Sequence, residues 1–146
     1  MITFETSVRI RSPIEEVFSY VADPFNFPRW NSAVQAVRKT SADQNAVAST
    51  YSMERELPSG RAVNELEVVA SDPPRTFAIR TTAGPTPFLY RYRFSTENSE
   101  TVIKLDAEVE LPGAAAFLPQ FAGRLVRKGV NNNLARLKEI LEAAHP

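Results

Sequence analysis

From Ile2 to Arg11 the chain alternates in polarity. Ile2, Phe4, Val8 and Ile10 fall on one side, with Thr6 the one polar member, and Thr3, Glu5, Ser7, Arg9 and Arg11 fall on the other. Period two over this length predicts a half-buried strand. Ser12-Pro13-Ile14-Glu15 then reads as a helix start: Ser12 is placed to cap, Pro13 suits the first helical position and Glu15 completes a capping box. Ile14, Val17, Phe18 and Val21 give that short helix one apolar stripe, and Asp23-Pro24 stops it. Phe25–Asn31 predicts a second short helical turn that crowds Phe25, Phe27 and Trp30 together.

Six further strands are expected: Ala33–Lys39, Val47–Leu57, Arg61–Ala70, Thr76–Thr82, Phe88–Ser95 and Thr101–Leu111. Ser41-Ala42-Asp43-Gln44-Asn45, Pro58-Ser59-Gly60, Asp72-Pro73-Pro74-Arg75, Gly84-Pro85-Thr86-Pro87 and Glu97-Asn98-Ser99-Glu100 separate them. Strands in unbroken succession with short turns imply an antiparallel meander. After Pro112-Gly113 the period changes. Leu118, Phe121, Ala122, Leu125, Val126, Val130, Leu134, Leu137 and Leu141 recur mostly at three- and four-residue steps. One helix from about Pro119 to Ala144 would be roughly 39 Å long. The fold class is therefore α+β: a seven-stranded curved antiparallel sheet, two short helices after its first strand, and one long C-terminal helix.

Composition removes more chemistry than it adds. The 146 residues suit one domain over 1–146, with no internal repeat or linker. Lys plus Arg and Asp plus Glu are 17 each, so no overall field points to nucleic acid. There is no cysteine, and the one histidine, His145, is next to last. Thiol nucleophiles, zinc-thiolate sites, a Ser-His-Asp relay and a His-rich metal site are thereby excluded. No metal and no cofactor are expected. No apolar stretch approaches the ~20 residues of a membrane span, and no signal peptide is evident, so the expected location is cytoplasmic.

The order strand, two short helices, six strands, long helix resembles the START-like (SRPBCC) superfamily, in particular its polyketide cyclase/dehydrase and lipid-transport branch. Three stretches carry the resemblance: Ser12-Pro13-Ile14-Glu15-Glu16-Val17-Phe18; Asp23-Pro24 followed by Phe27-Pro28-Arg29-Trp30-Asn31; and Val68-Val69-Ala70-Ser71-Asp72-Pro73-Pro74-Arg75. It covers essentially the whole chain. It implies a helix-grip fold whose members include cyclases, aromatases, lipid carriers, hormone receptors and proteins that bind quinone or ribosomes. Fold leaves that choice open.

If the sheet curls over the helix, parity selects the inward residues. Tyr51, Met53 and Leu57 go together, as do Asn64, Leu66 and Val68. Phe77, Ile79 and Thr81 form the next set, then Tyr90, Tyr92 and Phe94, then Ile103, Leu105, Ala107 and Val109. Phe27 and Trp30 form one candidate rim; Phe117 and Phe121 near the helix start form another. Alternation alone reports burial, so each aliphatic residue reads first as core. The tyrosines say more, because a buried hydroxyl needs a partner and a cavity can supply it. The candidate ligand-binding set is Phe27, Trp30, Tyr51, Met53, Asn64, Leu66, Ile79, Thr81, Tyr90, Tyr92, Leu105, Ala107, Phe117, Phe121 and Leu125. No catalytic residue is assigned.

Most charges read as a solvated outer face: Arg91 and Arg93 lie opposite the tyrosines, and Lys104, Asp106, Glu108 and Glu110 opposite Leu105 and Val109. Arg55 shares parity with Tyr51 and Met53; an exposed strand end is the expected place, a polar anchor at the pocket mouth the alternative. Gln120 and Arg124 are expected to be exposed. Asn131-Asn132-Asn133 is unusual in a helix, since Asn competes with helical hydrogen bonds, and a local kink near Gly129 is the expected explanation. The leading functional expectation is binding, or transport, of a small hydrophobic molecule such as a lipid or polyketide. A cyclase/aromatase-like enzyme working without metal is the first alternative. An interaction module for a ribosomal or respiratory partner is the second.

Overall fold

The computed structural model describes residues 1–42, 47–57, 60–111 and 119–145. Strand β1 (Ile2–Ile10) leads into helix α1 (Ile14–Val21), a 3₁₀ turn (Pro24–Asn26) and the short helix α2 (Phe27–Trp30). Six strands follow: β2 (Val34–Lys39), β3 (Thr50–Leu57), β4 (Gly60–Asp72), β5 (Thr76–Ala83), β6 (Phe88–Glu97) and β7 (Glu100–Val109). Helix α3 (Pro119–Ala143) ends the chain. The sheet has the order β1-β7-β6-β5-β4-β3-β2, every pair antiparallel. The first strand thus joins the last, leaving β1 and β2 as the two edges.

Two register shifts in β4, at Glu65/Leu66 and Val68/Ala70 against β5, bend the longest strand. A bulge leaves one residue unpaired and increases local twist, which is how a sheet curves around a helix. The β6–β7 hairpin turns on Asn98 and Ser99, both with positive φ (51° and 66°), the geometry that matches strand twist in a two-residue loop. Val47 and Ala48, expected within β3, lie in the turn before it.

The helix starts differ from expectation at Ser12. Pro13, extended at φ −60° and ψ 144°, is the N-cap of α1, and no side chain caps the helix. Ser12 is buried; its carbonyl accepts from Thr101 Oγ1 at 2.6 Å, which ties the α1 entrance to β7. Its hydroxyl is 3.5 Å from Glu16 Oε2, and the Ser12–Glu15 capping box does not form. Asp23 does cap, accepting from the Phe25 N–H at 3.0 Å to start the 3₁₀ turn.

The core is laid between the concave face and the helices. Val17, Phe18 and Val21 of α1 pack with Phe94 and Ile103, the Phe18 and Phe94 rings 5.1 Å apart and edge to face. On α3 the buried stripe among the described residues is Val130 at mid-helix and Leu134, Leu137 and Leu141 in the C-terminal half. That half is also tied to β1 by polar contacts. Lys138 Nζ donates to the Arg9 carbonyl at 2.6 Å, and the Arg11 N–H donates to Glu142 Oε2 at 2.9 Å. The asparagines join the same scheme. Asn131 Oδ1 accepts from Thr6 Oγ1 at 2.6 Å, and Asn133 Oδ1 accepts from the Ser32 N–H at 3.2 Å, so these side chains staple α3 to β1 and to the segment after α2. The helix remains one element through Gly129.

Candidate functional site

Between the concave sheet and the N-terminal half of α3 lies a cavity of about 610 Å³. That is within the usual range for sites that take small apolar molecules. Strand register builds its floor. Ile79 pairs with Tyr90, and Phe88 with Val109, so two cross-strand pairs face the space together. Met53 and Arg55 of β3 extend the floor toward the β2 edge. Phe27 and Trp30 of α2 close one side, and Ala122, Leu125, Val126, Gly129, Val130 and Asn133 of α3 form the roof. A Cβ added at Gly129 would meet nothing within 4 Å.

Rings run through the cavity wall in a continuous row. Phe88 and Tyr90 stack at 4.5 Å, Tyr90 and Tyr92 meet edge to face at 6.4 Å, and Tyr92 meets Trp30 at 6.4 Å. Phe27 completes the row against Trp30 at 5.8 Å. Such pairs prefer these offset and edge arrangements because the ring face is negative and its rim positive. Among the described residues neither the Tyr90 nor the Tyr92 hydroxyl has a hydrogen-bond partner, and the buried Trp30 indole N–H has none. Burial raises both phenols above the ordinary tyrosine range; the Arg55 charge opposes this at Tyr90, and neighbouring Tyr90 adds to it at Tyr92. Both stay protonated at neutral pH.

Arg55 is not at an exposed strand end. It is half-buried on the cavity lining, with its guanidinium 5.7 Å from the Phe88 ring centre. Nη1 donates to Asn64 Oδ1 at 3.0 Å and approaches the Thr86 carbonyl at 3.5 Å. Burial pulls its pKa below the ordinary range, and Tyr90 opposes the shift. Asn64 is fully buried and spends its amide on the β5–β6 loop, donating to the carbonyls of Ala83 at 3.2 Å and Pro85 at 2.8 Å. The loop fits that side chain closely: Gly84 has φ +102°, and a Cβ there would stand 2.4 Å from the Val63 carbonyl oxygen and 2.7 Å from Asn64 Nδ2. One buried amide thus holds both the loop and the arginine.

Of the residues singled out from sequence, Phe27, Trp30, Met53, Ile79, Tyr90, Tyr92 and Leu125 lie on the cavity lining. Asn64 stands behind it as the support for Arg55. Leu66, Leu105 and Ala107 are buried in the sheet core rather than on the lining. Tyr51 packs against Phe25 with ring centres 5.9 Å apart, off the cavity. Thr81 accepts from the Phe88 N–H at 3.0 Å, a structural bond within the β5–β6 hairpin. Phe121 is 65% exposed and off the lining, and Phe117 lies outside the described residues. Parity and helical spacing suffice to find Phe88, Val109 and Val126; at Arg55 parity points inward and charge points the other way. His145 is remote from the cavity, paired with Glu16 at the end of α3.

Comparisons agree with this geometry. A protein from Thermus thermophilus, TTHA0849, superposes with a TM-score of 0.82 at 17% identity, covering 99% of this chain and 100% of that one. A START superfamily protein from Mycobacterium smegmatis gives 0.80 at 15% identity, over 97% and 98% of the two chains. StfQ, a di-domain ARO/CYC from the steffimycin biosynthetic pathway, gives 0.79 at 13% identity, over 98% of this chain and 52% of StfQ. At such identities the likeness is one of fold. No curated protein matches the chain in sequence. Residues 1–142 match a family described as polyketide cyclase / dehydrase and lipid transport, and the chain belongs to that family.

Proposed function

We propose that this protein binds a small hydrophobic molecule in the cavity beneath α3. The observation that carries the reading is a space of about 610 Å³ with mostly aromatic and aliphatic walls, on which the Trp30 N–H and the Tyr90 and Tyr92 hydroxyls have no partner among the described residues. A core formed only for stability would fill such a volume and pair those groups. The family's description, which includes lipid transport, supports the same reading. Native mass spectrometry of freshly purified protein, with fluorescence titration by N-phenyl-1-naphthylamine, tests it. A retained ligand or a saturable signal with one site per chain is expected. A chain that carries nothing and gives no saturable signal overturns the reading.

A cyclase or aromatase is the second reading, supported by the fold likeness to StfQ and by two protonated phenols facing the same cavity as Arg55. With neither cysteine nor cavity histidine, proton movement would fall to Tyr90, Tyr92 or a bound water. Turnover of a poly-β-ketone precursor, lost in Tyr92→Phe, would support it. Unchanged product distribution with and without protein would remove it.

A further inference from the structure

We infer that the ligand of this cavity is an amphiphile carrying one carboxylate, which sits side-on against the Nε–Nη2 edge of Arg55 with its apolar body along the aromatic row. The inference rests on the binding reading above and adds the chemical class of the ligand. Arg55 is a positive charge on a lining that is mostly aromatic and aliphatic, with Glu56 the one acidic residue among its described members. Among the described residues no carboxylate pairs with it, in contrast to Arg9, Arg11, Arg80, Arg93 and Arg136, each of which does have an acidic partner. Glu56 also touches the lining, but it is exposed, next along the strand and so on alternate parity, and it forms no ion pair with Arg55.

The guanidinium is also held in one pose. Among the described residues only Nη1 is engaged, by Asn64 Oδ1 and the Thr86 carbonyl, and the guanidinium carbon is near the Phe88 ring. Nε and Nη2, the paired donors whose spacing matches the two oxygens of a carboxylate, have no partner among those residues. Asn64 is the positioning residue: fully buried, it is committed to two loop carbonyls through Nδ2 and presents Oδ1 to Arg55. Among the described residues the Trp30 N–H and both tyrosine hydroxyls have no partner, and Asn133 Oδ1 already accepts from Ser32. A fixed guanidinium with its paired donors open selects an anion with two acceptor oxygens. A neutral hydrocarbon would cover the half-buried charge without pairing it.

The test uses N-phenyl-1-naphthylamine as a neutral reporter, displaced at pH 8 by dodecanoate or by dodecan-1-ol. The two competitors share a chain and differ in the head group. Water holds the carboxylate more strongly than the alcohol, so any preference for the acid is supplied by the site. The unmutated protein should release the reporter at about tenfold lower dodecanoate than dodecanol, the effect of a charge-assisted pair. In Arg55→Gln the ratio, taken against the reporter affinity measured for that variant, should fall to about one, and Arg55→Lys should recover part of it. Arg91→Gln, on the outer sheet face, should leave the ratio unchanged. Equal displacement by acid and alcohol in the unmutated protein, measured before any variant is made, overturns the inference and leaves the cavity reading standing. So does an acid preference that survives in Arg55→Gln. Failure of the reporter to bind at all overturns the cavity reading and this inference with it.

Discussion

The two halves of α3 carry the same kind of residue in the same spacing and do opposite things. In the C-terminal half Leu134, Leu137 and Leu141 are buried in the hydrophobic core, and Lys138 and Glu142 bind the β1 end. In the N-terminal half Leu125 is 71% exposed, Ala122 and Val126 are half-buried, and the space beneath them is the cavity. One helix thus serves as a core element at one end and as a roof at the other. Apolar periodicity reports that a face will meet something apolar. It does not report whether that something is protein.

Two leucines separate these roles. Leu137→Ala should lower unfolding free energy by about 2–5 kcal/mol, because a fully buried side chain leaves a void its neighbours only partly fill. Urea denaturation measures this, and a loss below about 1 kcal/mol would show that the C-terminal half is not the packed half.

Asn64→Ala is next in size and belongs to the cavity end. It strips partners from the Ala83 and Pro85 carbonyls and from Arg55 Nη1. A loss of about 2 kcal/mol is expected, with a clear fall in melting temperature, since each buried unsatisfied group costs about 1–3 kcal/mol. The same variant should weaken the acid preference, because Arg55 loses its fixed pose. A stable Asn64→Ala protein with acid preference intact would mean that the arginine positions itself.

The packed half should also respond to acid. The Arg11 backbone N–H, with help from Lys138 and the Arg11 charge, holds the Glu142 carboxyl below its ordinary value. A depressed folded-state pKa contributes stability that is present above the unfolded value, near 4.5, and is lost as pH falls through the folded one. Melting temperature should therefore be flat in this contribution from pH 8 to about 5 and decline below, and Glu142→Gln should shallow that decline. Identical acid profiles for the two proteins would remove Glu142 from the scheme.

Leu125→Ala is the smallest expected change in stability, within about 0.5 kcal/mol, since little burial is lost. Its effect should appear instead in reporter affinity. Comparable destabilisation in Leu125→Ala and Leu137→Ala would erase the contrast between the two halves.

Much of the fold was legible. Period two gave the seven strands within a few residues, and the switch to three- and four-residue steps gave α3. Ser12 misled because a serine before Pro-Ile-Glu looks like a cap, while the structure uses its carbonyl to receive Thr101 from β7, a partner 89 positions away. The site was legible in its orientation and illegible in its extent. Parity correctly turned both Ile79 and Leu66 inward, yet only Ile79 reaches the cavity, because the division depends on where α3 lies over the sheet. Arg55 was the harder case. Its parity pointed inward and its charge argued outward, and the deciding contact, Asn64, belongs to another strand.

Gly129 borders the cavity in mid-helix and is exposed, with open space where a side chain would begin. Alanine there would favour the helix by about 1 kcal/mol. The chain therefore forgoes stability at a position where nothing in its own packing demands glycine. That trade fits the proposed binding reading, in which empty volume is the working part. Gly129→Ala should raise the melting temperature, and on that reading Gly129→Leu should weaken binding of the longer ligands while leaving the aromatic row untouched.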